Sequence, residues 1–200
     1  MSNKFLDLVK QRRSYYAISP EAVISDNKLE QLIADAINYT PSSFNSQSSR
    51  VVVLLGENHN KLWDGITKET LRAIVPADSF AATEERLAGF NNGYGTVLFF
   101  EDQDVISHLQ EQFALYSDNF PIWSNQSSGM LQFVVWTALT EEGYGASLQH
   151  YNPLIDEQVK AEWNIPASWK LIAQMPFGKQ AAQPGEKEFA PIETRLKVVK

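Results

Sequence analysis

Three stretches of this chain carry side chains able to hold a charged or highly polar small molecule. Arg12-Arg13-Ser14 sets two guanidiniums beside a hydroxyl, and Arg presents paired donors that match phosphate oxygens. The same triplet also suits a solvated helix C-terminus, where the macrodipole favours cations. From Asn38 to Ser49 the chain is a run of hydroxyls and amides without charge, centred on Pro41-Ser42-Ser43-Phe44-Asn45-Ser46-Gln47. A solvated connector ordinarily carries Lys or Glu, so a loop of neutral donors and acceptors suits a ligand with many polar atoms. Gln149-His150-Tyr151-Asn152 is the third stretch, polar and directly after a short apolar segment. His150 there reads equally as a site residue or as a satisfied structural histidine.

Other chemistries lack their full residue sets. His59, His108 and His150 are widely separated, and none has a His or carboxylate partner at metal-ligand spacing, so no metal site is expected. Gly145-Ala146-Ser147-Leu148-Gln149 approaches the nucleophile elbow Gly-x-Ser-x-Gly. Gln149 replaces the second glycine, however, and the sharp turn needs a residue without a side chain there. Gly93-x-Gly95 and Gly143-x-Gly145 lack the third glycine and the strand–loop–helix context of a dinucleotide loop. No side chain stands out as a nucleophile or general base.

Composition narrows the class. A chain of 200 residues, 44% hydrophobic and 20% charged, is long enough for one domain with a substantial core. The net charge of -7 disfavours phosphate backbones, so no nucleic-acid partner is expected. The absence of cysteine excludes disulfides, thiolate nucleophiles and cysteine metal clusters. Met1-Ser2-Asn3-Lys4-Phe5 lacks an apolar signal core, and no segment reaches the roughly 18 apolar residues of a membrane span. The expectation is a soluble, cytoplasmic protein with no membrane partner.

Periodicity supplies the elements that must position these residues. Phe5, Leu8 and Val9 predict a first short helix ending near Gln11, just before Arg12. Asp26 is expected to cap a second helix, in which Leu29, Leu32, Ile33, Ala36 and Ile37 fall on one face. Arg50 to Leu55 reads as a buried strand ended by Gly56. Leu62, Trp63, Ile66 and Leu71 predict a third helix stopped by Pro76, and Thr83 to Leu87 a fourth. Thr96 to Phe100 reads as a strand, and Val105, Ile106, Leu109 and Phe113 restore helical spacing. Met130 to Leu139 is apolar all round, the pattern of a core helix or a dimer interface. Ala146 to Gln149 reads as a short strand, Asp156 to Trp163 as a helix and Trp169 to Met175 as a last strand. The residues after Phe177 read as an irregular arm. No repeat or linker divides the chain, which predicts one domain over residues 1–200.

Taken in order, these segments resemble the nitroreductase family of flavin enzymes. Arg12-Arg13-Ser14 is similar to its N-terminal basic-basic-Ser motif, and Pro41 to Gln47 to its Pro-Ser-Ser-x-Asn-x-Gln loop. Phe99-Phe100-Glu101-Asp102, Trp123-Ser124-Asn125, Gly145 to Pro153 and Met175-Pro176-Phe177-Gly178-Lys179 resemble the subgroup named after the fungal fatty-acid-repression-mutant proteins.

The resemblance implies an α+β, nitroreductase-like fold: a central, mainly antiparallel sheet flanked by helices, in an intertwined homodimer. The C-terminal arm, from about residue 177, would embrace the partner subunit. It implies FMN at the interface, with Arg12, Arg13 and Ser14 on the phosphate and ribityl chain and Lys187 as a further phosphate contact. Ser42, Ser43, Asn45 and Gln47 would reach FMN bound mainly by the other subunit. Leu148, Gln149 and His150 would lie along the isoalloxazine, with a backbone N–H directed at N5. Tyr16 stands where the family often has Lys or Arg facing flavin N1 and O2, which leaves Arg13 as the substitute cation. Phe189 takes the second C-terminal basic position, with Arg195 as a replacement. The implied activity is ping-pong hydride transfer from NAD(P)H to a nitroaromatic or quinone acceptor. The alternative is a flavin-binding regulatory protein of stress or lipid signalling with low turnover.

Overall fold

The computed structural model describes residues 3–200; Met1 and Ser2, the start of the segment read as lacking a signal core, lie outside it. The elements in chain order are α1 (Lys4–Gln11), β1 (Ile18–Ser19), α2 (Asp26–Tyr39), β2 (Ser49–Leu55), α3 (Glu57–Asn60), a π-helical turn over Lys61–Thr67, α4 (Lys68–Arg72), α5 (Phe80–Asn91), β3 (Gly95–Asp102), α6 (Gln103–Gln112), α7 (Phe120–Glu141), β4 (Tyr144–Ala146), α8 (Asp156–Glu162) and β5 (Trp169–Gln180). The named strands all pair antiparallel, in the order β1-β5-β3-β2 with β4 also on β5. This is the expected α+β arrangement.

Side chains that alternate along the strands bury a layer on each face of the sheet. Val97 and Phe99 of β3 join Ala173, Met175 and Phe177 of β5 on one face, packed against Leu29, Ile33 and Ala36 of α2 and Leu131, Val135 and Leu139 of α7. Leu98 and Phe100 face the other way, toward Trp63, Leu87 and Phe90. Buried side chains of this size contribute about 1.5–3 kcal/mol each. A register shift beside Phe99 moves Leu171 from the first face to the second. The polar exception in this layer is Thr96, whose hydroxyl accepts from Trp63 Nε1 at 2.8 Å and meets His59 Nδ1 at 2.8 Å. His59 Nε2 lies 3.1 Å from the Asn91 carbonyl. That carbonyl can only accept, so Nε2 carries the proton and Nδ1 accepts from Thr96. His59 is a satisfied core histidine, and burial holds it below the ordinary histidine range.

Several sequence expectations need correction. Ser25, not Asp26, caps α2, accepting from the Lys28 N–H at 3.4 Å, while Asp26 accepts from the Tyr94 hydroxyl. Ile37 lies on the exposed side of α2. The apolar helix starts at Phe120 and buries one side within the chain; Phe133, Val134, Trp136 and Ala138 stay half-exposed. The short strand is Tyr144–Ala146, and Gln149 makes a separate bridge to Gln174. β5 continues through Pro176 and Gly178 to Gln180, so the extended tail starts after Gln180 rather than near 177. Glu142 at the end of α7 pairs with Lys28 at 2.5 Å, which relieves that carboxylate at a helix C-terminus.

Candidate functional site

The end of α1 delivers Arg12, Arg13 and Ser14 to the edge of the sheet. Ser14 bridges Ala146 in parallel, and the Tyr15 N–H donates to the Ala146 carbonyl at 2.9 Å. Gly145 permits this approach, because a Cβ there would stand 2.7 Å from Tyr15 Cβ. The tail then folds back over the same segment. Ala181 N–H donates to the Ala17 carbonyl at 3.0 Å, Tyr15 hydroxyl to Gln183 Oε1 at 3.1 Å, and Arg13 Nη2 to the Gly185 carbonyl at 2.6 Å. The cavity between them has a volume of about 520 Å³ and draws Arg12, Arg13, Ser14 and Lys187 together from opposite ends of the chain. Arg12 lies over the Trp136 ring, 4.4 Å from its centroid. Burial and then Arg13 lower its pKa, yet a guanidinium stays charged at neutral pH. The arrangement suits a phosphate ester.

A second cavity, of about 620 Å³, meets the first at Tyr16 and is lined further by Ala82, Glu85, Arg86, Gly89, Phe90 and Gln149. Ala82, Arg86, Gly89 and Phe90 follow helical spacing i, i+4, i+7 and i+8, so one face of α5 forms its wall. A Cβ at Gly89 would meet nothing within 4 Å; two small residues leave a flat surface beside one cation and one carboxylate. Opposite stands Gln149, whose backbone exchanges hydrogen bonds of 2.7 and 2.9 Å with Gln174. In such a pair the flanking N–H groups point away from the partner strand. Among the described residues the N–H groups of Leu148 and His150 accordingly have no partner, whereas Tyr151 N–H donates to Gln174 Oε1 at 2.7 Å.

The polar loop lies elsewhere. Ser42 Oγ accepts from the Gln47 N–H at 2.9 Å, and Ser43 N–H donates to Ser127 Oγ at 3.4 Å. Phe44, Asn45 and Gln47 have φ of 57°, 50° and 49°, a region that costs L-residues about 1–2 kcal/mol each. Compensation comes from both ends. The Phe44 ring packs against Phe113, Phe120 and Trp123 at 5.1, 5.3 and 5.8 Å. Arg50 Nη1 donates to the Gln47 carbonyl at 2.6 Å, while Ser48 and Ser49 donate to the buried Glu101 carboxylate at 2.6 and 2.5 Å. None of Ser42, Ser43, Asn45 or Gln47 lines either cavity within one chain.

The structure thus unites Arg12, Arg13, Ser14 and Lys187, places Gln149 in the adjoining cavity beside Leu148 and exposed His150, and leaves the loop apart. Arg13 does not face that adjoining cavity; it holds the tail. Lys187 stacks on the Phe189 ring at 5.2 Å, and Arg195 lines neither cavity. Sequence reading missed Arg86 and Gly89, although their spacing with Ala82 and Phe90 was visible. Ser147 is buried and accepts from Gln149 Nε2 at 3.1 Å, with no hydrogen bond to His150, so no serine–histidine couple forms. Among the described residues no group of three or more His, Cys, Asp or Glu could hold a metal, and no helix is long and apolar enough to cross a membrane.

An antiparallel sheet flanked by helices thus carries a cationic cavity that meets a second one at Tyr16. Residues 9–179 match the model of the Nitroreductase family, and the chain belongs to that family. It is 37% identical to HBN1 of Saccharomyces cerevisiae over 187 residues, covering 92% of each chain. It is 29% identical to the nitroreductase FRM2 of the same yeast over 190 residues, covering 94% of each. The nitroreductase CinD from Lactococcus lactis, solved with nicotinic acid, superposes with a TM-score of 0.92 at 47% identity, covering 98% of this chain and 100% of that one. CinD has also been solved with 4-nitrophenol. A nitroreductase from Desulfitobacterium hafniense DCB-2, with bound FMN, shares the fold at a TM-score of 0.73 and 19% identity, covering 100% of both chains.

Proposed function

We propose that the protein is an FMN-dependent NAD(P)H oxidoreductase acting on nitroaromatic or quinone acceptors. It works as a homodimer of single-domain chains, each tail after Gln180 embracing the partner. The observation that carries this reading is the junction at Tyr16 of a cationic cavity with a flat, small-residue one. Their sizes lie within the usual range of ligand pockets, and their chemistry fits a phosphorylated ribityl chain leading to a planar ring. FMN held there would supply hydride transfer through N5, with the nicotinamide and the acceptor occupying the site in turn.

The chain's residues bind and orient. Arg12, Ser14 and Lys187 would hold the phosphate, and Arg13 fixes the tail that closes over it. The free N–H of Leu148 or His150 would donate to N5, since Gln149 N–H is spent on Gln174. Ser42, Ser43, Asn45 and Gln47, remote within one chain, would reach the ring held by the partner. The half-exposed apolar side of α7 and the exposed Leu196, Val198 and Val199 of the tail support association with a second copy. The aromatic ligands of CinD support a planar acceptor.

Steady-state turnover of NADH and NADPH with a nitroaromatic tests the reading. Parallel double-reciprocal lines are expected. A flavin-loaded protein without turnover would favour a regulatory, flavin-holding role instead.

A further inference from the structure

The cavity assigned to the ring contains a charge that the reading above does not use. Among the described residues lining it, Arg86 is the one cation. Its side chain has no hydrogen-bond or ion-pair partner among the described residues. Its field reaches Tyr151, whose ring lies 6.5 Å from that of Phe90 in the cavity wall: burial raises the Tyr151 pKa, and Arg86 opposes that rise. The two guanidiniums of the adjoining cavity are committed, Arg12 over Trp136 and Arg13 on the Gly185 carbonyl. Tyr16, at the junction of the two cavities, brings a phenol there and no ammonium or guanidinium.

Two-electron reduction of an isoalloxazine leaves negative charge on its N1–O2 edge. A site that holds the ring in both redox states gains from a fixed cation facing that edge. The α5 face is built for such a role. Ala82 and Gly89 lie one helical turn to either side of Arg86, and neither has the bulk to keep a flat ring away from it. Glu85, the adjacent residue, also lines the cavity, but consecutive helical positions do not face the same point.

Resting on the FMN reading, we infer that Arg86 is the residue that stabilises negative charge on the flavin ring, a task neither Tyr16 nor Arg13 performs. The role belongs to α5, outside the three polar stretches of the sequence.

The test uses the full chain at saturating FMN and compares wild type with Arg86→Gln, Arg86→Lys and Glu85→Gln. Sulfite adds to flavin N5 and drives negative charge onto the ring, so its dissociation constant reads the charge stabilisation without turnover. Arg86→Gln is expected to weaken sulfite binding about tenfold or more, equivalent to a fall of about 30 mV for a two-electron couple. Arg86→Lys should recover most of it, and Glu85→Gln should tighten sulfite binding slightly. Sulfite affinity unchanged in Arg86→Gln, or equally lost in Arg86→Lys, would overturn the assignment while leaving the FMN reading intact. A wild type that takes up no FMN overturns both.

Discussion

Arg50 and Asp102 form an ion pair of 3.0 Å across the paired strands β2 and β3, and the same guanidinium holds the Gln47 carbonyl. The polar loop is thereby fastened to the central sheet just where its backbone leaves the strained region. Arg50→Ala should destabilise the protein by about 1–3 kcal/mol, the usual consequence of leaving a charged partner unpaired. It should also weaken FMN binding about tenfold, because a loosened loop must be ordered on binding. Urea unfolding and a flavin titration measure the two effects. Lost stability with unchanged FMN affinity would detach the loop from the cofactor.

Glu101 introduces a pH dependence. Burial pushes its carboxyl above the ordinary glutamate range, against the opposing pull of Ser48, Ser49 and Arg50. The folded state therefore binds the proton more tightly than the unfolded one. Stability falls as pH rises from the ordinary glutamate value through the raised folded one. Glu101→Gln keeps an acceptor for one serine and should flatten that decline. An identical slope of unfolding free energy against pH in wild type and variant would refute the assignment.

Gly89 separates stability from binding. Glycine inside a helix is about 1 kcal/mol less favourable than alanine, and nothing in the chain occupies the space its Cβ would take. Gly89→Ala should raise stability by about 0.5–1 kcal/mol, less if helix fraying near Asn91 dilutes the effect. Gly89→Leu should fold yet lose FMN affinity at least about tenfold, since its side chain enters the second cavity. Calorimetry and flavin titration together decide this, and a Leu variant with wild-type affinity would contradict the placement of the ring.

Asn45 needs two substitutions. Its φ of 50° makes Asn45→Ala strained as well as amide-free, at a cost of about 1 kcal/mol. Asn45→Gly removes the amide and relieves the backbone. Both variants should retain less FMN, while only Asn45→Ala should melt lower. Full flavin retention in Asn45→Gly would make the loop a connector.

The strands β2 and β3 were legible as continuous runs of Val, Leu and Phe, and α2 because its apolar face repeats at helical spacing. The end of β5 was not. Pro176 and Gly178 read locally as a stop, whereas pairing with β3, β4 and β1 carries the strand to Gln180. Ser25 and Asp26 are both good caps by residue type, and only the tertiary bond from Tyr94 draws Asp26 away. The cationic half of the site was legible through motif resemblance, since nothing local brings Lys187 to Arg12. Arg86 escaped because Ala82, Gly89 and Phe90 look like ordinary helix residues until the fold sets them beside Gln149.

The proposed FMN site draws on Arg12, Ser14 and Lys187 of one chain and is completed by the polar loop of its partner. The visible absorption spectrum of the purified protein, taken after gel filtration in the presence of added FMN, checks this. A yellow dimer carrying a flavin for each chain is expected. A colourless protein that leaves the column without flavin would contradict it.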